Sequence, residues 1–190
     1  MAEDETKNVE IINVILDTNV IISSLVKSEG VTRASLILML TNPSVKFYIP
    51  ELVFREIEKH SFEIARKSKI ETALLSKALN EILKNVTRVP ENEFMDKLEL
   101  SKKLVKDEND AQFAALALHF SPSIILTFNK KDYRIAALNK AGVKVMLPIE
   151  ALNFIGISLL SVETKSKTRH GIKRFLTKIN ALIKKKYSIF

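Results

Sequence analysis

Three stretches of the chain place acidic or amide side chains where they could do chemistry together. Asp17 closes the apolar run Ile11-Ile12-Asn13-Val14-Ile15-Leu16, and apolar residues resume at helical spacing with Val20, Ile21, Ile22 and Leu25. Asn129 and Asp132 follow a second run, Ile124-Ile125-Leu126-Thr127. Asp107 and Asp110 open the segment Ala111-Gln112-Phe113-Ala114-Ala115-Leu116-Ala117-Leu118, which has almost no polar face and reads as a buried helix. Near-continuous β-branched runs are what buried strands of a parallel sheet look like. In such a sheet the carboxyl ends of the strands and the N-termini of the following helices share one edge, where ligands bind. The acids can therefore meet. Each also has a plainer use, because Asp, Thr and Asn are good helix N-caps and acids in a first turn suit the helix dipole.

Carboxylates gathered at one edge repel and cannot all stay ionised without a compensating cation. The chain has no cysteine, and His60, His119 and His170 are scattered without ligand spacing. Oxygen-only donors favour hard ions, Mg²⁺ or Mn²⁺. Such a site suits phosphodiester hydrolysis, in which metal polarises the phosphate and lowers the pKa of an attacking water.

The elements that must position these residues alternate along the chain. Strands are expected at about 11–16, 45–49, 86–89, 124–127 and 143–147. Helices are expected at about 19–26, 32–40, after Pro50, 70–83, 93–105, through the Ala/Leu segment, and from Tyr133 to Ala141 before Gly142, a natural residue to follow a helix end. This alternation predicts an α/β fold of three layers, α/β/α, with a mainly parallel central sheet. The length of 190 residues suits one domain with an appendage. Residues 1–10 read as a frayed polar N-terminus, 11–150 as the domain, and 151–190 as a basic helical extension. Only four glycines occur, and no Gly-rich phosphate loop is present, which argues against nucleotide binding through such a loop. No apolar stretch is long enough to span a bilayer and the start is acidic, so a cytoplasmic protein is expected.

Four motifs in order carry a resemblance to a known family. Leu16-Asp17-Thr18-Asn19-Val20, then Tyr48-Ile49-Pro50 followed by Glu56, then Asp107-x-x-Asp110-Ala111, then Leu126-Thr127-x-Asn129-x-x-Asp132-Tyr133, resemble the motifs of PIN-domain ribonucleases. The resemblance covers roughly Ile11 to Leu147. It implies that Asp17, Glu56 and Asp110 bind divalent metal, Mg²⁺ or Mn²⁺. The family's usual fourth acid falls on Asn129, whose carbonyl can ligate but brings no charge, and Asp132 is the nearest carboxylate that could substitute. Thr18, Thr127 and Asp107 could orient the ligands through hydrogen bonds. Relatives include toxins held inactive by antitoxins and enzymes that process ribosomal RNA, so an antitoxin or a second copy of the chain enters as an expected partner beside RNA.

Charge adds an independent pointer to a polyanion. The net charge is +8, and no acid follows Glu163 while nine lysines and arginines do, which leaves −1 for residues 1–164. From about Gly171 the tail reads as an amphipathic helix, with Lys173, Arg174, Lys178, Lys184, Lys185 and Lys186 as candidate RNA-phosphate contacts. The expectation is a divalent-metal-dependent endoribonuclease acting on single-stranded or loop RNA, with Asp17, Glu56, Asp110 and Asp132 as its catalytic acids. Two alternatives stand beside it. One is a non-catalytic RNA-binding PIN-like protein, favoured by Asn129. The other is a haloacid-dehalogenase-like phosphatase, disfavoured because position 19 is Asn where that chemistry wants Asp.

Overall fold

The structure is a computed structural model that describes residues 11–26, 31–68 and 71–164. Five parallel strands form one sheet: β1 (Ile12–Leu16), β2 (Val45–Pro50), β3 (Val86–Val89), β4 (Ser123–Leu126) and β5 (Val143–Met146). Their spatial order is β3-β2-β1-β4-β5. The helices are α1 (Thr18–Val26), α2 (Val31–Leu40), α3 (Glu51–Ser68), α4 (Thr72–Leu83), α5 (Leu98–Lys102), α6 (Ala111–His119), α7 (Ile135–Lys140) and α8 (Pro148–Thr164).

The chain leaves β1 in one direction, toward β2 and β3, and later returns to add β4 and β5 on the other side of β1. Right-handed crossovers then put α1 to α4 on one face and α6 and α7 on the other. The contacts agree: α1 touches α2, α3 and α4, whereas α6 lies along β1, β2 and β4 and α7 against β5. This is the three-layer α/β/α arrangement expected from the alternation. Val14, Ile15 and Leu16 of β1 and Ile124, Ile125 and Leu126 of β4 are wholly or almost wholly buried, as continuous apolar strands covered on both faces must be. The alanines of α6 let its backbone come close to the sheet, and Ala111, Phe113, Ala114, Ala115, Leu116 and Ala117 are all buried.

Reversal of direction at β1 makes a topological switch point between the carboxyl ends of β1 and β4, the position where open α/β sheets open a crevice. Register fixes what stands there. Leu16 is paired with Leu126, so Asp17 and Thr127 leave the sheet side by side, and the Asp17 N–H still donates to the Leu126 carbonyl at 3.1 Å.

Three expected elements are corrected. The segment from Glu93 to Val105 is not one helix but two 3-10 turns, Glu91–Glu93 and Met95–Lys97, followed by α5. Phe94, only 2% exposed, is anchored in the core at φ −126°, and that burial overrides local helical preference. Val105 instead forms an antiparallel bridge with Tyr133. Tyr133 is therefore extended, and α7 starts only at Ile135. The helical extension expected from 151 begins earlier, and residues 148–164 form α8. Pro148 occupies its first position, and Glu150 accepts the Leu147 N–H at 2.9 Å, a capping arrangement at its start.

The chain divides into two compact units, Met1–Ala151 and Leu152–Phe190. In the second, the described residues continue α8 to Thr164. The N-terminus expected to be frayed and the expected basic tail helix, with Lys173, Arg174, Lys178, Lys184, Lys185 and Lys186, lie outside the described residues. Among the described residues no helix is long and apolar enough to cross a membrane.

Candidate active site

Asp17 is the buried centre of the switch point, 4% exposed. It caps α1: its Oδ1 accepts the Asn19 N–H at 3.0 Å, and its carbonyl accepts Val20 N–H at 3.1 Å. Capping is only part of its bonding. Oδ2 accepts from Thr127 Oγ1 at 2.7 Å, across 110 residues, and from Asn19 Nδ2 at 2.8 Å. Burial pushes the Asp17 carboxyl above its ordinary value, and the bonds from Thr127 and Asn19 pull against that rise.

Asn19, part of the first motif but given no role of its own there, ties the two strand ends together. Its Nδ2 also donates to Thr127 Oγ1 at 3.1 Å, and its Oδ1 accepts the Phe128 N–H at 3.1 Å. Thr127, fully buried, accepts in turn from the Asn129 N–H at 2.9 Å. The turn after β1 and the turn after β4 are thereby a single hydrogen-bonded unit. Thr18 stands half-exposed in the first turn of α1.

The remaining acids arrive from two further turns. Asp107 starts the 3-10 turn Glu108–Asp110 by accepting the Asn109 N–H at 3.0 Å, and Asp110 leads into α6. Asn129 is exposed, and its carbonyl accepts the Asp132 N–H at 2.9 Å. Asp132 is held to the other turn by its own carbonyl, which accepts the Lys106 N–H at 2.7 Å. The four carboxyls are within electrostatic reach of one another at Asp110. Partial burial, then the charges of Asp17, Asp107 and Asp132, push the Asp110 carboxyl up to about 7. Glu56 differs from them: it is exposed on α3 and is not among the carboxylates whose charge bears on Asp110. Lys130, next to Asn129, is engaged by Glu150 at 2.8 Å rather than by the acids.

A residue that sequence reasoning passed over lies in the middle of this group. Tyr133 is 3% exposed, and burial together with Asp17, Asp110, Asp132 and Asp107 raises its phenol far above the ordinary value. The only signal for it was its place at the end of the motif after β4.

The donor set suits a hard divalent cation. Every candidate is an oxygen, and the repulsion that raises Asp110 is what a cation would relieve. Among the described residues no three acidic or histidine side chains stand close enough to enclose an ion. Mg²⁺ needs only one or two carboxylates, since it keeps several of its waters, so a pair such as Asp17 and Asp110 is a sufficient anchor.

The sequence profile of the PIN domain family matches residues 15–129, more than half of the chain, from the end of β1 to the asparagine after β4. The chain belongs to the PIN domain family. PIN domains are generally nucleases and generally depend on divalent metal. Among solved structures, the fold is similar to a chain of VapBC2 from Rickettsia felis, crystallised with a DNA fragment from its promoter. That likeness has 19% sequence identity and a TM-score of 0.48, and covers 72% of this chain and 98% of the other. No curated protein matches the chain.

Proposed function

We propose that this PIN domain is a divalent-metal-dependent endoribonuclease that hydrolyses phosphodiester bonds in single-stranded or loop RNA. One observation carries the reading: a buried aspartate at the switch point is held by a threonine from the neighbouring strand, and its charge, with those of Asp107 and Asp132, bears on Asp110. In this reading Asp17 and Asp110 are the metal-holding carboxylates, Asn129 offers a neutral carbonyl beside them, and Asp132 supplies the charge that Asn129 lacks. Glu56, exposed on α3, is the further acid that the family resemblance suggests, outside the group that bears on Asp110. Bound there, Mg²⁺ or Mn²⁺ supplies charge stabilisation at the phosphoryl oxygens and makes water a competent nucleophile near neutral pH.

The protein's own contribution is orientation. Thr127 and Asn19 fix the rotation of the Asp17 carboxylate through three hydrogen bonds, so that it need not reorganise when the site is filled. The basic tail belongs to the same proposal, as an RNA-phosphate contact that raises affinity without reading sequence.

The test is cleavage of a mixed single-stranded RNA pool with Mn²⁺ or Mg²⁺. Wild-type protein should cut, EDTA should stop it, and Asp17→Asn should lower the rate by at least about 100-fold, the scale of a lost electrostatic stabiliser. Cutting that persists in Asp17→Asn refutes the assignment. RNA binding that survives EDTA, with no cutting under any metal, favours the non-catalytic reading that Asn129 suggests. If the nuclease acts as a toxin, expression of the wild-type chain arrests growth and Asp17→Asn does not.

A further inference from the structure

Among the described residues one buried side-chain polar atom has no hydrogen-bond partner, and it is Tyr133 Oη. Buried polar atoms are otherwise paired in folded proteins, and an orphan marks strain, function or a missing ligand. Tyr133 is not loosely placed. Its backbone bridges to Val105, and the flanking bonds Lys106 N–H to Asp132 carbonyl (2.7 Å) and Arg134 N–H to Leu104 carbonyl (2.8 Å) clamp it on both sides. The clamp holds a buried hydroxyl donor within electrostatic reach of four carboxyls, Asp17, Asp110, Asp132 and Asp107, and hydrogen-bonded to none of them.

The two carboxyls closest to it in effect differ in what they have left to offer. Asp17 already accepts three hydrogen bonds. Asp110, which caps no helix with its side chain, accepts none from a side chain or backbone N–H among the described residues. We infer that Tyr133 is a positioning residue of the metal site, whose hydroxyl donates to the Asp110 carboxylate when that group turns to hold a divalent cation. The inference rests on the nuclease reading above and deepens it. It accounts for a buried phenol where an apolar ring would fill the same space without leaving a donor unpaired.

The experiment compares wild type with Tyr133→Phe, which removes only the hydroxyl, in two measurements. Mn²⁺ affinity is read by electron paramagnetic resonance or calorimetry, and urea unfolding is followed with and without Mn²⁺. Because the hydroxyl is unpaired in the metal-free protein, Tyr133→Phe should unfold at the same or higher urea concentration than wild type without metal. Its Mn²⁺ affinity should fall about 10-fold, as for other groups that orient metal ligands, and Mn²⁺ should stabilise it correspondingly less. Equal Mn²⁺ affinity in the two proteins overturns the inference while leaving the nuclease reading intact. Failure of wild type to bind Mn²⁺ at all overturns both. A metal-free Tyr133→Phe protein that is clearly less stable than wild type also overturns it, since the hydroxyl would then be serving the fold.

Discussion

Asp110 gives the site a pH signature that can be read without any substrate. Its carboxyl titrates near 7 in the folded metal-free protein and from 3.8 when unperturbed. Between those values the folded state holds a proton that the unfolded state has lost, so stability falls as pH rises from about 4 to about 7 and levels off above. Asp17, also raised, acts in the same direction. Urea midpoints of the metal-free protein should show this decline, and Asp110→Asn should flatten it; a decline unchanged in Asp110→Asn would place its origin elsewhere. Thr127→Val keeps the shape of a fully buried side chain but removes a donor to Asp17 and an acceptor for the Asn19 and Asn129 N–H groups. It should cost about 1–3 kcal/mol in urea unfolding, the usual cost of unpaired buried polar groups. At this scale the sequence was informative about acids that follow an apolar run, Asp17 and Asp132, or open one, Asp110, since position along the chain is enough to see them. It was silent about Asn19 and Tyr133, because what they do depends on partners 108 residues away or on a bridge between loops. It could not distinguish Asp17 as a cap from Asp17 as a site residue, and the structure shows why: the same carboxylate caps α1 and meets Thr127.

Elements were legible wherever local pattern and tertiary packing agree. All five strands fall close to where apolar runs put them, and α6 is the buried helix its composition implies. The failures are places where packing overrides pattern: Phe94 breaks an expected helix by sinking into the core, and Tyr133 is pulled from α7 into the bridge with Val105. Helix α8 was foreseen only as part of a helical extension from 151, because its apolar residues run nearly continuously and show no face to count. Gly142 is a point where pattern and structure coincide. It follows α7 at φ +79°, and a Cβ there would stand 2.5 Å from Ser121 Oγ, which itself donates to the Ala141 carbonyl at 2.7 Å. Gly142→Ala should therefore destabilise by about 1–2 kcal/mol from backbone strain alone, with more from the clash, as measured by thermal or urea unfolding. Equal stability would mean that the α7–β5 turn can relax.

The order of strands across the whole sheet could not be read from the sequence, since alternation says that strands are parallel but not which ones are neighbours. That order decides where the site is, and it also decides when the site comes into being. The bond between Thr127 and Asp17 spans 110 residues, and Asp132 follows later still. A ribosome adding about 5–20 residues per second needs roughly 5–20 s to make that span, and β1 has no β4 to pair with until then. Contacts so distant along the chain also close slowly after synthesis. The group of carboxyls is therefore assembled only once β4 and Asp132 have been made, and a shorter nascent chain next to the ribosome's own RNA carries its aspartates apart.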